Sequence, residues 1–221
     1  MIDIALNISK LKEQIPTSVK IVAVSKTKTV NDIMIAYNAG QRLFGENRVQ
    51  ELLSKKDHLP DDIEWHLIGH LQSNKVKNIL PFISMIHSVD SARLLAVINN
   101  EAEKAGQTIN CLLQFHIAKE ETKFGFSLDE ISMLFGSSGL SRFSNISICG
   151  VMGMATFTDN METVRQEFNF LRNCFSTLKK KYFSEHESFR EISMGMSGDY
   201  MTAIGEGSTI VRIGSLIFGE R

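Results

Sequence analysis

The chain has 221 residues, 43% of them hydrophobic and 22% charged, and a formal net charge of -1. That composition is ordinary for a soluble globular protein, and the length suits one sizeable core, so the simplest organisation is a single α/β domain over 1–221. The near-neutral charge gives no electrostatic footprint for nucleic acid.

Other features narrow the class further. Lys179-Lys180-Lys181, the longest basic run, reads as a solvated helix end. The cysteines Cys111, Cys149 and Cys174 form no Cys-x-x-Cys and cannot all pair, which argues for a reducing compartment and places the protein in the cytoplasm. No stretch approaches the roughly 20 apolar residues of a membrane span.

In chain order, the first segment carries Ile4, Ile8, Leu11 and Ile15 at helical spacing behind Asp3 as a cap, an amphipathic helix rather than a signal peptide. Apolar, β-branched runs then predict strands at 21–26, 42–47, 63–70, 85–90, 110–117, 147–155, 189–195 and 209–215. Helices are expected between them at 30–39, 49–56, 74–79, 92–104, 128–135 and 161–182, with a short one at 199–204. Gly40 and Gly106 stand where a helix C-terminus favours a left-handed residue, and Ser91 and Ser127 where an N-cap favours a hydroxyl. Eight strands alternating with helices favour a closed parallel (β/α)8 TIM barrel, with one extra N-terminal helix, over an open doubly wound sheet.

The barrel reading gives the chemistry a location. Active sites of such barrels lie at the C-terminal strand ends, and a phosphate site is often built by the loops after strands seven and eight. Lys26 ends the first strand, where partial removal from water favours a nucleophilic amine suited to Schiff-base formation. Strand seven leads into Ser193-Met194-Gly195-Met196-Ser197-Gly198-Asp199, and strand eight into Gly214-Ser215, both rich in the small residues of a backbone anion nest. Barrel closure sets strand eight beside strand one, so the amine faces the anion site across a gap that a pyridine ring spans. Arg212, flanked by Val211 and Ile213, points inward and needs an acceptor, for which a pyridine nitrogen is suited. An amine and a phosphate cradle so arranged suit pyridoxal 5'-phosphate.

Competing readings are weaker. Gly195-Met196-Ser197-Gly198-Asp199 lacks the final glycine of a hydrolase nucleophile elbow. His66 and His70, four apart, lack the glutamate of a zinc-protease helix and lie in a strand pattern, which favours core or strand-end roles. Gly205-Glu206-Gly207 lacks the third glycine and preceding strand of a dinucleotide fingerprint. Lys75 and Lys123 are rival amines in less suitable settings. Asn47 has two readings, a hydrogen bond to a ring hydroxyl of the cofactor or a cap on the next helix.

Several segments together resemble the pyridoxal phosphate homeostasis protein family, whose fold is similar to the N-terminal barrel of alanine racemase. They are Val22-Ala23-Val24-Ser25-Lys26, Phe44-Gly45-Glu46-Asn47-Arg48-Val49-Gln50-Glu51, Trp65-His66-Leu67-Ile68-Gly69-His70-Leu71-Gln72-Ser73-Asn74-Lys75, His87-Ser88-Val89-Asp90, Lys123-Phe124-Gly125, Gly150-Val151-Met152, Ser193-Met194-Gly195-Met196-Ser197, and Val211-Arg212-Ile213-Gly214-Ser215 with Ile217-Phe218-Gly219. The resemblance implies that Lys26 is the Schiff-base lysine, that Arg212 neighbours the pyridine nitrogen, and that Ser197, Gly214 and Ser215 hold the phosphate; Asn47 and Met196 complete the expected cofactor-binding set. It also implies a monomeric carrier or regulator of vitamin B6 pools, with the apo forms of pyridoxal phosphate enzymes as candidate partners.

The alternative is a weak pyridoxal phosphate-dependent racemase or decarboxylase. Racemisation needs a proton donor or acceptor on each face of the substrate. Lys26 serves one face, and of the tyrosines Tyr37, Tyr182 and Tyr200 only Tyr200 lies beside the expected phosphate loop. A barrel aldolase using Lys26 without a cofactor is a more distant third.

Overall fold

The computed structural model describes residues 2–118, 124–136 and 139–220. Among these, eight parallel strands close into a barrel in which each strand pairs with the next and the eighth returns to the first. The strands are β1 (Lys20–Val24), β2 (Leu43–Glu46), β3 (Glu64–Leu67), β4 (Ile83–Val89), β5 (Ile109–Gln114), β6 (Ile146–Met152), β7 (Glu191–Met196) and β8 (Ile210–Ile213). The helices are α1 (Ile4–Gln14), α2 (Val30–Asn38), α3 (Val49–Lys56), α4 (Val76–Ile79), α5 (Ala92–Lys104), α6 (Leu128–Gly136), α7 (Met161–Tyr182), α8 (Tyr200–Gly205) and α9 (Ser215–Phe218).

Local chemistry starts the helices where the sequence places them. Asp3 accepts from the Leu6 amide, Ser91 from the Leu94 amide, and Asn160 from the amides of Glu162 and Thr163, each satisfying a donor that the first turn leaves open. Thr29 with Asp32, and Ser127 with Glu130, form reciprocal capping boxes. Gly40 and Gly106 follow their helices at φ +83° and +62°, as expected. Lys179, Lys180 and Lys181 close the last turn of α7, where the helix dipole favours cations.

Helices and barrel are joined by one extensive apolar layer. Residues such as Ile33, Leu52, Ile79, Leu95, Phe168 and Leu171 pack outward-facing strand positions, including Ala23, Phe44 and Val151, at 0% exposure. Each fully buried Leu, Ile or Phe contributes roughly 1.5–3 kcal/mol. A smaller cluster of Val22, Met85, Leu112, Cys149, Met152 and Ile210 fills the barrel interior. Two positions further along β4 and β8, on the same face of each strand, the interior turns polar with His87 and Arg212.

Strand boundaries differ from expectation at the C-terminal rim. The apolar runs 63–70 and 147–155 extend past the ladder, because Ile68 and Ala155 are buried in the loops after β3 and β6 rather than paired in the sheet. Residues 74–79 divide into a 3-10 turn, Ser73–Lys75, and α4. Helix α9 was not expected, since a four-residue segment is too short to show a helical period.

Candidate functional site

At the C-terminal rim, the loops after β1, β6, β7 and β8 enclose a cavity of about 440 Å³. Lys26, Asn47, Met196, Ser197, Arg212, Gly214 and Ser215 all line it. The register explains the convergence. Val22 lies opposite Arg212 on the β1–β8 seam, and Met196 opposite Arg212 on the β7–β8 seam, so the ends of the first, seventh and eighth strands share one level. Lys26 is half-buried, two residues beyond β1.

The small residues after β7 and β8 form a set of donors. Ser197 Oγ accepts from the Gly214 amide at 3.3 Å and the Leu216 amide at 3.5 Å, both at the start of α9. These bonds are long, and the same amides can turn to a stronger anionic acceptor. Asp199 shapes the loop by accepting from the Met196 amide at 2.5 Å. Burial raises the Asp199 carboxyl above its ordinary range, against the pull of that amide and of Arg212.

Arg212 is 4% exposed, and no ion pair to a carboxylate is found for it among the described residues. Its Nη1 donates to Ser193 Oγ at 2.6 Å and Ser193 O at 2.9 Å, and its Nη2 to Gly153 O at 3.0 Å. Burial lowers its pKa to about 10, opposed by Asp199. Three of its five N–H donors are thus held by the barrel wall, while Nε–H and the second Nη2–H make no hydrogen bond among the described residues and are left for a ligand.

Behind Arg212 runs a buried chain that sequence reading left unassigned. Ser193 Oγ contacts His87 Nδ1 at 3.0 Å, and His87 Nε2 contacts His66 Nδ1 at 2.9 Å. Arg212 donates to Ser193, and the tautomer assignment that gives every member of the chain a partner has the Ser193 hydroxyl donating to His87 Nδ1 and His87 Nε2–H donating to His66 Nδ1. Both rings are neutral. Burial, with the charge of Lys20, lowers His66 to about 4, and burial, His66 and Arg212 lower His87 well below its ordinary value. The spacing of His66 from His70 thus separates a core residue from a rim residue: His70 is exposed, bonds Asp90 at 3.1 Å and stacks on Phe124. The segments Trp65-His66 and His87-Ser88 carried the signal, as isolated histidines within apolar strands.

The cap reading of Asn47 fails. Arg48 is the N-cap of α3, no side-chain cap bond is made there, and Asn47 faces the cavity. Lys75 does not line it, and Lys123 lies outside the described residues. One wall was missed by sequence reading: Met154 to Asp159, where Thr156 is gripped by Glu167 through its amide and hydroxyl, both at 2.7 Å, and Phe157 is fully exposed. Its one signal is an aromatic residue inside Thr156-Phe157-Thr158-Asp159. Lys28 was also missed; its Nζ donates to Phe218 O and Gly219 O, tying the end of α9 to the rim.

A closed parallel barrel with a lysine after β1 and an amide nest after β8 defines a class of protein, and the alanine racemase N-terminal domain family matches residues 2–221. Two relatives are more specific. The pyridoxal phosphate homeostasis protein of Aquifex aeolicus is 39% identical over 203 residues, covering 91% of this chain and 87% of that protein. The structure of PipY from Synechococcus elongatus PCC7942 with PLP bound is 35% identical, with a TM-score of 0.88 over 98% of this chain and 100% of that one. The chain belongs to the alanine racemase N-terminal domain family, among its pyridoxal phosphate homeostasis proteins. Alanine racemase of Clostridium difficile 630 is 14% identical, with a TM-score of 0.81 over 99% of this chain and 60% of that one, a likeness of fold alone.

Proposed function

We propose that the protein binds pyridoxal 5'-phosphate in the rim cavity, held covalently by Lys26, and that it acts as a carrier in vitamin B6 homeostasis within the cytoplasm. The observation that carries this reading is the convergence of a half-buried lysine, a buried arginine with no carboxylate ion pair among the described residues, and two backbone amides around one cavity. The PLP-bound relative PipY supports it.

The residues present fit the cofactor. A free N–H of Arg212 would face the ring nitrogen, and because arginine keeps its proton it would serve there as a donor only. The amides of Gly214 and Leu216, with the hydroxyls of Ser197 and Ser215, would hold the phosphate. Asn47 and Met196 line the same cavity, where Asn47 would offer an amide to the ring hydroxyl and Met196 an apolar contact. Bound there, the group would supply an aldehyde, and Lys26 is the amine on the cavity wall that would hold it.

The carrier reading draws support from the tyrosines, none of which lines the cavity. Tyr200 donates to Gln14 on α1 at 3.0 Å, and Tyr37 to Asp62 at 2.7 Å. Tyr200, the candidate for a second proton-transfer group, is therefore turned away from Lys26. Delivery to apo forms of pyridoxal phosphate enzymes follows as the carrier's task.

Two measurements test this reading. Protein loaded with pyridoxal 5'-phosphate gains a visible absorbance band that transfers to an added apoenzyme. Incubation with single amino-acid enantiomers in deuterated water gives no α-proton exchange at a catalytic rate. Rapid exchange replaces the carrier by the enzyme.

A further inference from the structure

Lys26 lies in a tight turn whose backbone conformation is unfavourable for its own sequence. Lys28 N donates to Ser25 O at 3.0 Å, closing a four-residue turn with Lys26 second and Thr27 third. Thr27 has φ +65°, and no other non-glycine residue among those described has positive φ. The third position of such a turn favours glycine. A β-branched residue there crowds its own carbonyl, so the turn needs support from outside.

Helix α3 supplies it. Lys55 is 7% exposed, and its Nζ donates to Ser25 O at 2.9 Å, Glu46 Oε1 at 2.7 Å and Glu51 Oε1 at 2.6 Å, which uses all three ammonium protons. Glu51 Oε1 also accepts the Thr27 amide at 2.5 Å. Glu46, wholly buried, accepts the Ser25 hydroxyl at 2.7 Å. The carbonyl before Lys26 and the amide after it are thus each held by a charged side chain of one helix. Neither Lys55 nor Glu51 lines the cavity.

A merely stabilising role accounts poorly for this arrangement, since a buried ion cluster contributes little net stability compared with apolar packing. Its geometric effect is definite: it fixes both peptide planes that bracket Lys26 and so the direction in which that side chain leaves the backbone. We propose that Lys55 and Glu51 are positioning residues, clamping the strained turn so that the Lys26 amine is aimed at the cofactor aldehyde. This rests on Lys26 as the covalent attachment point.

The test compares two ligands, pyridoxal 5'-phosphate and pyridoxine 5'-phosphate, whose alcohol cannot condense with an amine. The ratio of their affinities isolates the lysine's contribution from the rest of the pocket. In Glu51→Ala, and in the double variant Glu46→Gln with Lys55→Met, that ratio falls by about tenfold while the alcohol binds within about twofold of wild type, the size of one lost charge-assisted hydrogen bond. Glu51→Gln keeps an acceptor for the Thr27 amide and retains most of the ratio. The double variant removes both buried charges together and avoids stranding Glu46; if it does not fold, partly exposed Glu51 carries the test alone. An unchanged ratio in Glu51→Ala, with the ratio lost in Lys26→Ala, overturns the clamp and leaves Lys26 in its role. Parallel loss of both affinities makes the cluster structural and also overturns it. An unchanged ratio in Lys26→Ala removes the attachment reading and the clamp together.

Discussion

The buried chain from Arg212 through Ser193 and His87 to His66 makes acid the natural stress on this barrel. Both histidines are held neutral in the fold, so the unfolded chain takes up their protons first. Their contribution to stability is complete above the ordinary histidine value of 6.5 and is lost as pH falls toward the folded value, about 4 for His66. For that shift, lowering the pH from 7 to 5 removes about 2 kcal/mol through His66, and His87 acts in the same direction. Urea unfolding at the two pH values reads the loss directly. The comparison that isolates it uses His66→Gln, whose amide oxygen still accepts from His87 but does not titrate. Whatever the variant's stability at pH 7, its deficit relative to wild type narrows by about 2 kcal/mol at pH 5. A deficit that stays constant between the two values refutes the neutral state of His66 in the fold.

Three further outcomes follow from local geometry. Ser197→Ala removes a hydroxyl of the proposed phosphate cradle and weakens pyridoxal 5'-phosphate binding about threefold to tenfold in a fluorescence titration; undiminished affinity places the anion elsewhere. Gly150→Ala puts a Cβ 1.8 Å from Glu191 O on the neighbouring strand, at φ +154°, and lowers unfolding free energy by at least about 3 kcal/mol in urea; a near-neutral result contradicts that strand approach. Thr27→Asn relieves the left-handed strain of a β-branched residue and raises the thermal midpoint, by about 0.5–1 kcal/mol in stability; a lowered midpoint means the threonine side chain has a role that the turn geometry does not reveal.

The strands were legible because parallel barrel strands, covered on both faces, read as continuous β-branched runs separated by capped helices. Lys26, Arg212 and the Gly214-Ser215 pair were legible because strand order fixes which ends meet once the barrel closes. The rest depended on contacts without a sequence period. Helix α9 is a single turn, and the wall around Phe157 is a loop held by Glu167, a residue many positions away on α7. The Lys55 cluster was hidden for another reason. On a helix, a lysine four residues after a glutamate reads as a surface pair, and only tertiary packing against Ser25 and Glu46 buries it. Asn47 was ambiguous because strand-end asparagines serve equally as caps, and the backbone of Arg48 removes the cap reading.

The central claim is that one amine, at the end of β1, carries the cofactor. Borohydride reduction of protein loaded with pyridoxal 5'-phosphate, followed by peptide mass spectrometry, tests it most directly. The account predicts one phosphopyridoxyl group on the peptide containing Lys26 and none in Lys26→Ala. Label on Lys28, Lys55 or Lys75 in the wild-type protein, or loaded protein that takes no label, contradicts it.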